Sequence, residues 1–205
     1  MNILLLGPQG SGKGTQARFI CDKFGFSYFE SGAYLRRIAE DNPELKKWLS
    51  EGKLVPDREM TSYLSAFLDS ENLYDGIIFD GFPRTASQYH FWKNWLTDRE
   101  IKLDLAINLI ISEKETIRRL TARRMDPSTG EIYNLITEPP PSGVDSSKLI
   151  QREDDKLPAI EKRLALYKER TEPLILELKK DIKVVEINGE RPVEEIFKDI
   201  EKLIS

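Results

Sequence analysis

The chain has 205 residues, of which 31 are Lys or Arg and 35 are Asp or Glu, so its formal net charge is −4. With 40% hydrophobic residues and 12 Gly, the composition is that of a globular protein rather than a disordered one. The mildly acidic balance argues against a nucleic-acid partner, and the single cysteine, Cys21, excludes an internal disulfide and a multi-cysteine zinc site. We expect one core domain with insertions.

The first apolar run, Ile3 to Leu6, has the continuous hydrophobicity of a parallel strand that is buried on both faces. This run is too short for a signal peptide or a membrane span, so we expect a cytoplasmic protein without a membrane partner. After a glycine-rich turn, the spacing of Ala17, Ile20 and Phe24 predicts a helix over about residues 14–24.

Three later apolar runs also resemble buried strands, and helical patterns alternate with them. The strands are predicted at residues 77–79, 105–111 and 182–187, and the helices at about 85–96, 113–124, 157–179 and 192–203. Strands that alternate with helices predict an α/β fold, in which a parallel sheet lies between two layers of helices.

Two stretches depart from this alternation. Residues 31–71 are helical in pattern throughout, with breaks at Asn42-Pro43 and at residues 52–56. Residues 125–151 are polar and rich in turns, including a Pro139-Pro140-Pro141 run. Because so long a loop in a compact domain usually has a function, we predict that this second stretch is a lid.

The segment Gly7-Pro8-Gln9-Gly10-Ser11-Gly12-Lys13 lies between the first strand and the first helix, where it predicts a phosphate-binding loop. Glycines let the backbone turn through positive φ and bring N–H groups close to phosphate oxygens, while Lys13 supplies a positive charge. The next residue is Gly14, and the hydroxyl comes only at Thr15, so the usual side-chain ligand for Mg²⁺ is missing. We therefore expect Mg²⁺ to be held by nucleotide phosphates and water.

A second motif, Asp80-Gly81-Phe82-Pro83-Arg84-Thr85, follows the predicted strand at 77–79. Together with Gly-x-x-Gly-x-Gly-Lys-Gly-Thr at residues 7–15 and the polar lid, it makes the chain resemble the long-lid form of the adenylate kinase family over nearly its whole length. The resemblance implies a P-loop three-layer α/β/α core (1–30, 58–124 and 153–205), a helical AMP-binding domain (31–57) and a small lid (125–152). It also implies a monomer that reversibly transfers the γ-phosphoryl group of ATP to AMP with Mg²⁺, giving two ADP.

The resemblance implies roles for individual residues as well. The catalytic set would be Lys13, Arg84, Arg119, Arg123, Arg152, Arg163 and Asp80, the last holding water around Mg²⁺. ATP would be bound by Gly10, Ser11, Gly12, Lys13, Gly14, Thr15, Arg119, Arg123, Tyr133 and Arg191. AMP would be bound by Ser31, Gly32, Arg36, Lys53, Val55, Gly81, Arg84, Gln88, Arg152 and Arg163. The family also implies a cis peptide bond at Phe82-Pro83.

Elementary chemistry is consistent with these roles, because phosphoryl transfer depends on positioning and charge stabilisation, for which the planar fork of arginine is suited. Arginines flank the predicted lid on both sides, so its closure would gather them and exclude water. Asp154 and Asp155 would either orient these arginines or cap the following helix. Arg118 and Arg124 fit a solvated helix face as well as they fit a role in the site.

The lid departs from the zinc-binding members of the family, which carry mostly cysteine ligands at its turns. Here those turns hold Asp126, Thr129, Ser142 and Asp145, so we expect no zinc. Asn134 stands where the family often has His, and Ala33 stands where it commonly has Asp.

Other functions remain open at this stage. A kinase for UMP, CMP or GMP would have the same fold, although the long lid and Gln88 favour AMP. A P-loop GTPase would need an Asn-Lys-x-Asp guanine-binding motif, which the sequence lacks. A regulatory nucleotide-binding module would not need so many arginines.

Overall fold

The computed structural model describes residues 1–50 and 55–205 and contains a five-stranded parallel sheet. The strands of the chain are β1 (Ile3–Leu6), β2 (Ser27–Glu30), β3 (Ile77–Asp80), β4 (Leu105–Ile110), β5 (Arg123–Met125), β6 (Ile132–Asn134) and β7 (Lys183–Asn188). The sheet has the order β2-β3-β1-β4-β7, and every neighbouring pair in it is parallel. The predicted α/β fold with a parallel sheet is confirmed.

Helices connect the strands and cover the sheet. They are α1 (Lys13–Phe24), α2 (Ser31–Ile38), α3 (Pro43–Ser50), α4 (Asp57–Glu71), α5 (Ala86–Asp98), α6 (Glu113–Thr121), α7 (Leu157–Leu166), α8 (Glu172–Asp181) and α9 (Val193–Ile204). A π-helical turn, Tyr167–Thr171, joins α7 to α8. Within residues 1–50 and 55–205, no helix is both long and apolar enough to cross a membrane.

Alternate side chains of the buried strands point into two separate hydrophobic clusters. In β1, Leu4 and Leu6 pack on one face of the sheet, where α4, α5 and α8 lie. Ile3 and Leu5 pack on the other face, against α1 and α9. Because both faces are covered, the strand is apolar at every position, which is why its sequence shows no alternation. The three-layer arrangement follows from this packing.

Two predicted elements differ from the structure. The helix expected over 113–124 ends at Thr121, because Arg123 and Arg124 enter β5 and pair with β6. The backbone of Met125 also exchanges hydrogen bonds with that of Ile150, both 2.9 Å long, so tertiary pairing overrides the helical pattern. The helix expected over 157–179 is interrupted by the π-helical turn.

The strand β2 was not predicted, because it is a short, partly exposed strand at the edge of the sheet. The helical pattern of residues 31–71 is confirmed as α2, α3 and α4, although the predicted break at 52–56 lies partly outside the described residues. The division into core, AMP-binding domain and lid stays a prediction; the hairpin of the lid region begins at Arg123.

Candidate active site

A cleft of about 2050 Å³ opens at the carboxyl ends of the sheet strands, the edge at which open α/β sheets bind ligands. The cleft is lined by every predicted site residue that the structure describes: Gly10, Ser11, Gly12, Lys13, Gly14, Thr15, Ser31, Gly32, Arg36, Val55, Asp80, Gly81, Arg84, Gln88, Arg119, Arg123, Tyr133, Arg152, Arg163 and Arg191. Lys53 lies outside the described residues. The structure therefore brings together residues that are far apart in the sequence.

The loop between β1 and α1 has the backbone that a phosphate cradle requires. Gly7, Gly10 and Gly12 have φ values of 134°, 81° and 95°, in the region that favours glycine. A Cβ on Gly7 would lie 2.4 Å from the carbonyl oxygen of Leu109, so the loop packs directly on β4. Because α1 begins at Lys13, the unpaired N–H groups of the helix face the loop.

Lys13 and Asp80 form the buried ionic centre of the cleft. The Nζ of Lys13 donates to the carbonyl oxygens of Gly7 (3.0 Å) and Pro8 (3.1 Å) and lies 3.9 Å from Oδ1 of Asp80. Burial lowers the pKa of Lys13, and the charge of Asp80 opposes this change. Burial raises the pKa of Asp80, whereas Lys13 opposes that rise. Each of the two buried side chains therefore favours the charged form of the other.

Tyr28 holds the other oxygen of Asp80, a role that the sequence did not indicate. Its Oη donates a 2.9 Å hydrogen bond to Oδ2 of Asp80. Burial, followed by the charge of Asp80, raises the pKa of Tyr28, so the phenol stays protonated and remains a donor. Tyr28 lies on β2, which the hydrophobic pattern missed, and its proximity to Asp80 depends on the pairing of β2 with β3.

Arg84 is positioned by one hydrogen bond from its side chain and another from its backbone. Its Nε donates to the carbonyl oxygen of Gly81 (2.7 Å), and its own N–H donates to Oε1 of Gln88 (2.7 Å). Gly81 has a φ of 77°, and the Oγ of Ser31 donates to its carbonyl oxygen (2.8 Å). Because Oε1 of the buried Gln88 is engaged, its amide NH₂ is the group left for a ligand. The Phe82-Pro83 bond is cis, as predicted.

Three arginines around the lid region are paired with the acidic residues that follow it. Arg123 donates twice to Asp155, at 2.7 and 2.5 Å, and this carboxylate is fully buried. Asp154 bonds both Arg163 (2.8 Å) and Arg152 (3.1 Å). Of the two interpretations of the acidic pair, orientation of arginines is therefore the one observed; Lys156 occupies the cap position of α7.

The charges of this cluster act on one another. Burial alone would raise the pKa of Asp154, but Arg163 and Arg152 outweigh it, so that pKa lies below its ordinary value. Burial lowers the pKa of Arg163 to about 10, which leaves the guanidinium charged at neutral pH. The ion pairs thus hold Arg123, Arg152 and Arg163 in defined positions.

Arg119 links the phosphate-binding loop to the segment after β7. It donates to the carbonyl oxygens of Gly10 (3.3 Å) and Gly189 (2.9 Å), and its Nε bonds Glu115 (2.6 Å). From α1, Gln16 donates to the carbonyl oxygen of Val193 (3.0 Å). This network fixes residues 189–193, where the resemblance places the adenine of ATP, and Arg191 itself pairs with Asp199 at 2.7 Å.

Glu30 is a further cleft residue that the sequence did not indicate. It ends β2, directly beside Asp80 in the strand register, and its Oε1 lies 3.3 Å from Nη2 of Arg36. The two side chains meet over Gly32, where a Cβ would lie 3.4 Å from Oε1 of Glu30 and 3.2 Å from Nη1 of Arg36. Because Ala33 has no carboxylate, Glu30 is the acidic residue that this segment presents to the cleft.

The turns of the lid region are closed by polar side chains. Asp126 accepts hydrogen bonds from the N–H (2.8 Å) and the hydroxyl (2.6 Å) of Ser128, and Asp145 accepts the same pair from Ser147. In the part of the chain that the structure describes, no group of three or more His, Cys, Asp or Glu residues could hold a metal ion. The hydroxyl of Tyr133 donates to Glu131, which raises the pKa of Tyr133 to about 12.

Two neighbouring arginines are held by local contacts. Arg118 borders the cleft and forms two 2.7 Å hydrogen bonds with Glu115, while almost half of its side chain is exposed. Arg124 donates to the carbonyl oxygens of Thr121 (2.9 Å) and Arg123 (2.7 Å). These contacts agree with a solvated helix face for Arg118, whereas Arg124 lies on β5 and not on a helix.

Comparison with known proteins agrees with this geometry. The family profile described as "Adenylate kinase" matches residues 5–183 of the chain. The chain belongs to the adenylate kinase family. It is 38% identical over 212 residues to an adenylate kinase of Pyrococcus furiosus, and 38% identical over 213 residues to one of Methanothrix thermoacetophila. These alignments cover 100% of this chain and 96% and 99% of the relatives.

A third relative has a similar identity and coverage. An adenylate kinase of a Thermoanaerobacter species is 36% identical over 214 residues, with 100% of this chain and 98% of the relative covered. Adenylate kinases are nucleoside monophosphate kinases, and their substrates are ATP, AMP and ADP. The recognition made from the two motifs is confirmed, and the alternative kinases for other nucleoside monophosphates are not favoured.

Proposed function

We propose that this adenylate kinase family member transfers the γ-phosphoryl group of ATP to AMP, reversibly giving two ADP. The observation that carries the proposal is the set of cations around one cleft at the phosphate-binding loop: Lys13, Arg36, Arg84, Arg119, Arg123, Arg152 and Arg163. A transition state with charge spread over phosphoryl oxygens requires such an arrangement, because the protein contributes positioning and electrostatic stabilisation.

The donor half of the site is formed by the loop and the start of α1. The N–H groups of Gly10 to Thr15 would bind the β- and γ-phosphates of ATP, and Lys13 would turn its ammonium from loop carbonyls towards them. Arg119 and Arg123 would approach the γ-phosphate from the lid side, and Tyr133 and Arg191 border the place for the nucleoside.

The residues around Asp80 fit a hydrated Mg²⁺ better than a directly coordinated one. Gly14 offers no side-chain oxygen, and Oδ2 of Asp80 is engaged by Tyr28 while Oδ1 faces Lys13. Asp80 would therefore hold the water shell of the ion. Mg²⁺ held there would offset negative charge on the nucleotide phosphates.

The acceptor half lies between β3 and the helical insertion. Arg36 and Arg84 would bind the phosphate of AMP, with Arg152 and Arg163 on its far side, and Ser31, Gly32 and Gly81 border it. The free amide of Gln88 would donate to the adenine ring, and the buried Val55 supports the base. Lys53 is proposed for the same site from the resemblance alone.

We propose that residues 31–57 close over AMP and residues 125–152 over ATP, against the core of residues 1–30, 58–124 and 153–205. Closure would bring the lid arginines onto the transferring group and remove water that would otherwise accept the phosphoryl group. The support is that the lid-side arginines already border the same cleft as Lys13.

We also propose a cytoplasmic monomer without a nucleic-acid or membrane partner and without zinc. The cations proposed for the reaction border one cleft within a single chain, and the net charge of −4 offers no general attraction to nucleic acid. Size-exclusion chromatography with light scattering would test the monomer.

A coupled assay decides the proposed reaction. The purified protein is given Mg-ATP with AMP, UMP, CMP or GMP separately, and the formation of nucleoside diphosphate is followed. We expect kcat/KM for AMP to exceed that for each other acceptor by at least about tenfold, because a base-reading amide discriminates through hydrogen bonds. Equal or faster turnover of UMP, CMP or GMP would refute the assignment of AMP as the acceptor.

A further inference from the structure

Glu30 is a carboxylate in a cleft whose other acceptor-site groups suit a phosphate. Its Oε1 is 3.3 Å from Nη2 of Arg36, and both side chains are more than a third exposed to the open cleft. Gly32 has no side chain between them, so the pair lies directly over the backbone at the start of α2. The resemblance assigns Arg36 and Gly32 to AMP but gives no role to Glu30.

The charge of Glu30 also reaches the groups behind Arg36. Burial lowers the pKa of Arg84, and Asp80 and then Glu30 oppose that change. Burial raises the pKa of Asp80, and Glu30 adds to that rise, whereas Lys13 opposes it. A negative charge at Glu30 therefore acts on Arg84 and Asp80 as well as on its ion-pair partner Arg36.

We propose that Glu30 is a positioning residue of the acceptor site, which pairs with Arg36 and weakens the binding of the AMP phosphate by the site. This inference rests on the proposed function, since it assumes that Arg36 binds AMP. The arginines attract the phosphate of AMP, whereas Glu30 repels it. Glu30 would therefore also speed the release of AMP.

The direction of the effect follows from electrostatics. The phosphate of AMP must displace the carboxylate from Arg36 and then remain near its negative charge. Since the pair is partly exposed, water and salt reduce both contributions. Removal of the charge should therefore tighten AMP binding by about three- to tenfold, a moderate effect typical of a screened surface pair.

The experiment measures AMP binding by calorimetry without ATP, together with KM for each substrate. We expect Glu30→Gln to lower both Kd and KM for AMP about three- to tenfold and to leave KM for ATP unchanged. The matched control is Glu40→Gln, which removes the same charge from an exposed position just after α2 outside the cleft and should leave AMP binding unchanged.

A double-variant cycle shows whether Glu30 acts through Arg36. In the Arg36→Ala background, Glu30→Gln should give a clearly smaller gain in AMP affinity than in the wild type, because only the direct repulsion of the phosphate by Glu30 is then removed. A full gain in that background would contradict the action through Arg36, and unchanged or weaker AMP binding by Glu30→Gln alone would overturn the inference.

The failure of the inference is distinguishable from that of the proposed function. If Arg36→Ala binds AMP as well as the wild type, the acceptor site itself is misplaced; if it binds AMP weakly and Glu30→Gln gives no gain, only the role of Glu30 fails. Should Glu30→Gln not fold, Glu30→Ala provides the test, because it also removes the carboxylate. We expect Glu30→Ala to bind AMP more tightly than the wild type, and equal affinity would contradict the proposal.

Discussion

Arg84 is positioned for its role by the backbone of its own motif. Its Nε is bonded to the carbonyl oxygen of Gly81, and its own carbonyl oxygen accepts a 2.9 Å hydrogen bond from Oγ1 of Thr171. Lys13 is held in a similar way by two loop carbonyls. In the proposed reaction, Arg84 would need little reorganisation, and Lys13 would only turn its ammonium from the loop carbonyls towards the phosphates.

Replacement of either cation should stop phosphoryl transfer without unfolding the chain. We expect Lys13→Ala and Arg84→Ala each to lower kcat by about two to three orders of magnitude, because each removes charge stabilisation from the transferring group. The coupled assay measures this loss, and thermal unfolding checks the fold. Arg58→Ala, an exposed arginine on α4 outside the cleft, is the control and should retain full activity. Near-native turnover in either Lys13→Ala or Arg84→Ala would contradict the proposed roles.

The hydrogen bond from Tyr28 to Asp80 should affect turnover more than substrate binding. Without the hydroxyl, Asp80 loses a donor and its pKa rises further above the ordinary value, because the bond favours the ionised form. We expect Tyr28→Phe to lower kcat about three- to tenfold with KM values nearly unchanged, and to move the acidic limb of the kcat profile to higher pH. The pH dependence of kcat is the measurement.

A surface pair of the same chemistry provides the control for this prediction. Tyr74 donates a 3.1 Å hydrogen bond to Asp69 outside the cleft, so Tyr74→Phe should leave the pH profile unchanged. A profile of Tyr28→Phe that matches the wild type would show that Asp80 does not depend on this donor.

At the scale of elements, α6 is stabilised at its start by a local network. Its cap residue, Ser112, accepts a 3.2 Å hydrogen bond from the N–H of Glu115, whose carboxylate bonds Arg118 and Arg119. The hydrogen bond from Arg118, supported by Arg119, lowers the pKa of Glu115 from 4.5 to about 2. The ionised carboxylate of Glu115 therefore stabilises the folded state.

The stability of the fold should depend on Glu115 in a pH-dependent way. A pKa lowered by folding gives stability that is complete above about pH 4.5 and is lost as the pH falls towards about 2. After allowance for screening, we expect Glu115→Gln to lower the free energy of unfolding by about 2 kcal/mol at pH 7, and this difference should shrink by pH 3.

Urea denaturation at the two pH values measures this effect. Glu161→Gln, at an exposed position in α7, is the matched control and should change stability by less than about 0.5 kcal/mol. An equal loss for Glu115→Gln at pH 7 and pH 3 would mean that the ion pairs are not its source.

The elements also show which features a sequence can predict. The strand β1 and the loop that follows it were predicted because a buried strand and a glycine pattern are local signals. The strand β2 carries no strong pattern, and its two cleft residues, Tyr28 and Glu30, approach Asp80 only through the register between strands. The strand β5 was missed because its arginines continue the helical pattern of α6 in the sequence. In the structure they pair with β6 instead.

At the scale of the whole molecule, the cleft balances its cations with acids from distant parts of the chain. Asp154 and Asp155 pair with the arginines around the lid, Glu30 pairs with Arg36, and Glu115 with Arg119. These contacts offset part of the positive charge of the cleft. Phosphates therefore compete with carboxylates for the guanidinium groups.

The lid (residues 125–152) and the acceptor insertion (residues 31–57) should both move when the two substrates are bound together. We expect an analogue that joins ATP and AMP through their phosphates to shorten the distance from the lid to the core and from the acceptor insertion to the core. Spin labels at exposed Lys148 and Lys46, each paired with a label at Lys198 in α9 in a Cys21→Ser background, would measure the two distances. Unchanged distances with the analogue bound would contradict closure.

The number of residues in the π-helical turn at Tyr167–Thr171 affects the orientation of Arg163. This turn separates α7, which carries Arg163, from α8, whose buried Leu174 and Leu178 anchor it to the sheet. Since one residue advances a helix by about 100°, a single deletion within the turn would rotate Arg163 away from the cleft and leave α8 in register. The number of residues in this turn therefore sets the rotation of Arg163 about the helix axis relative to α8.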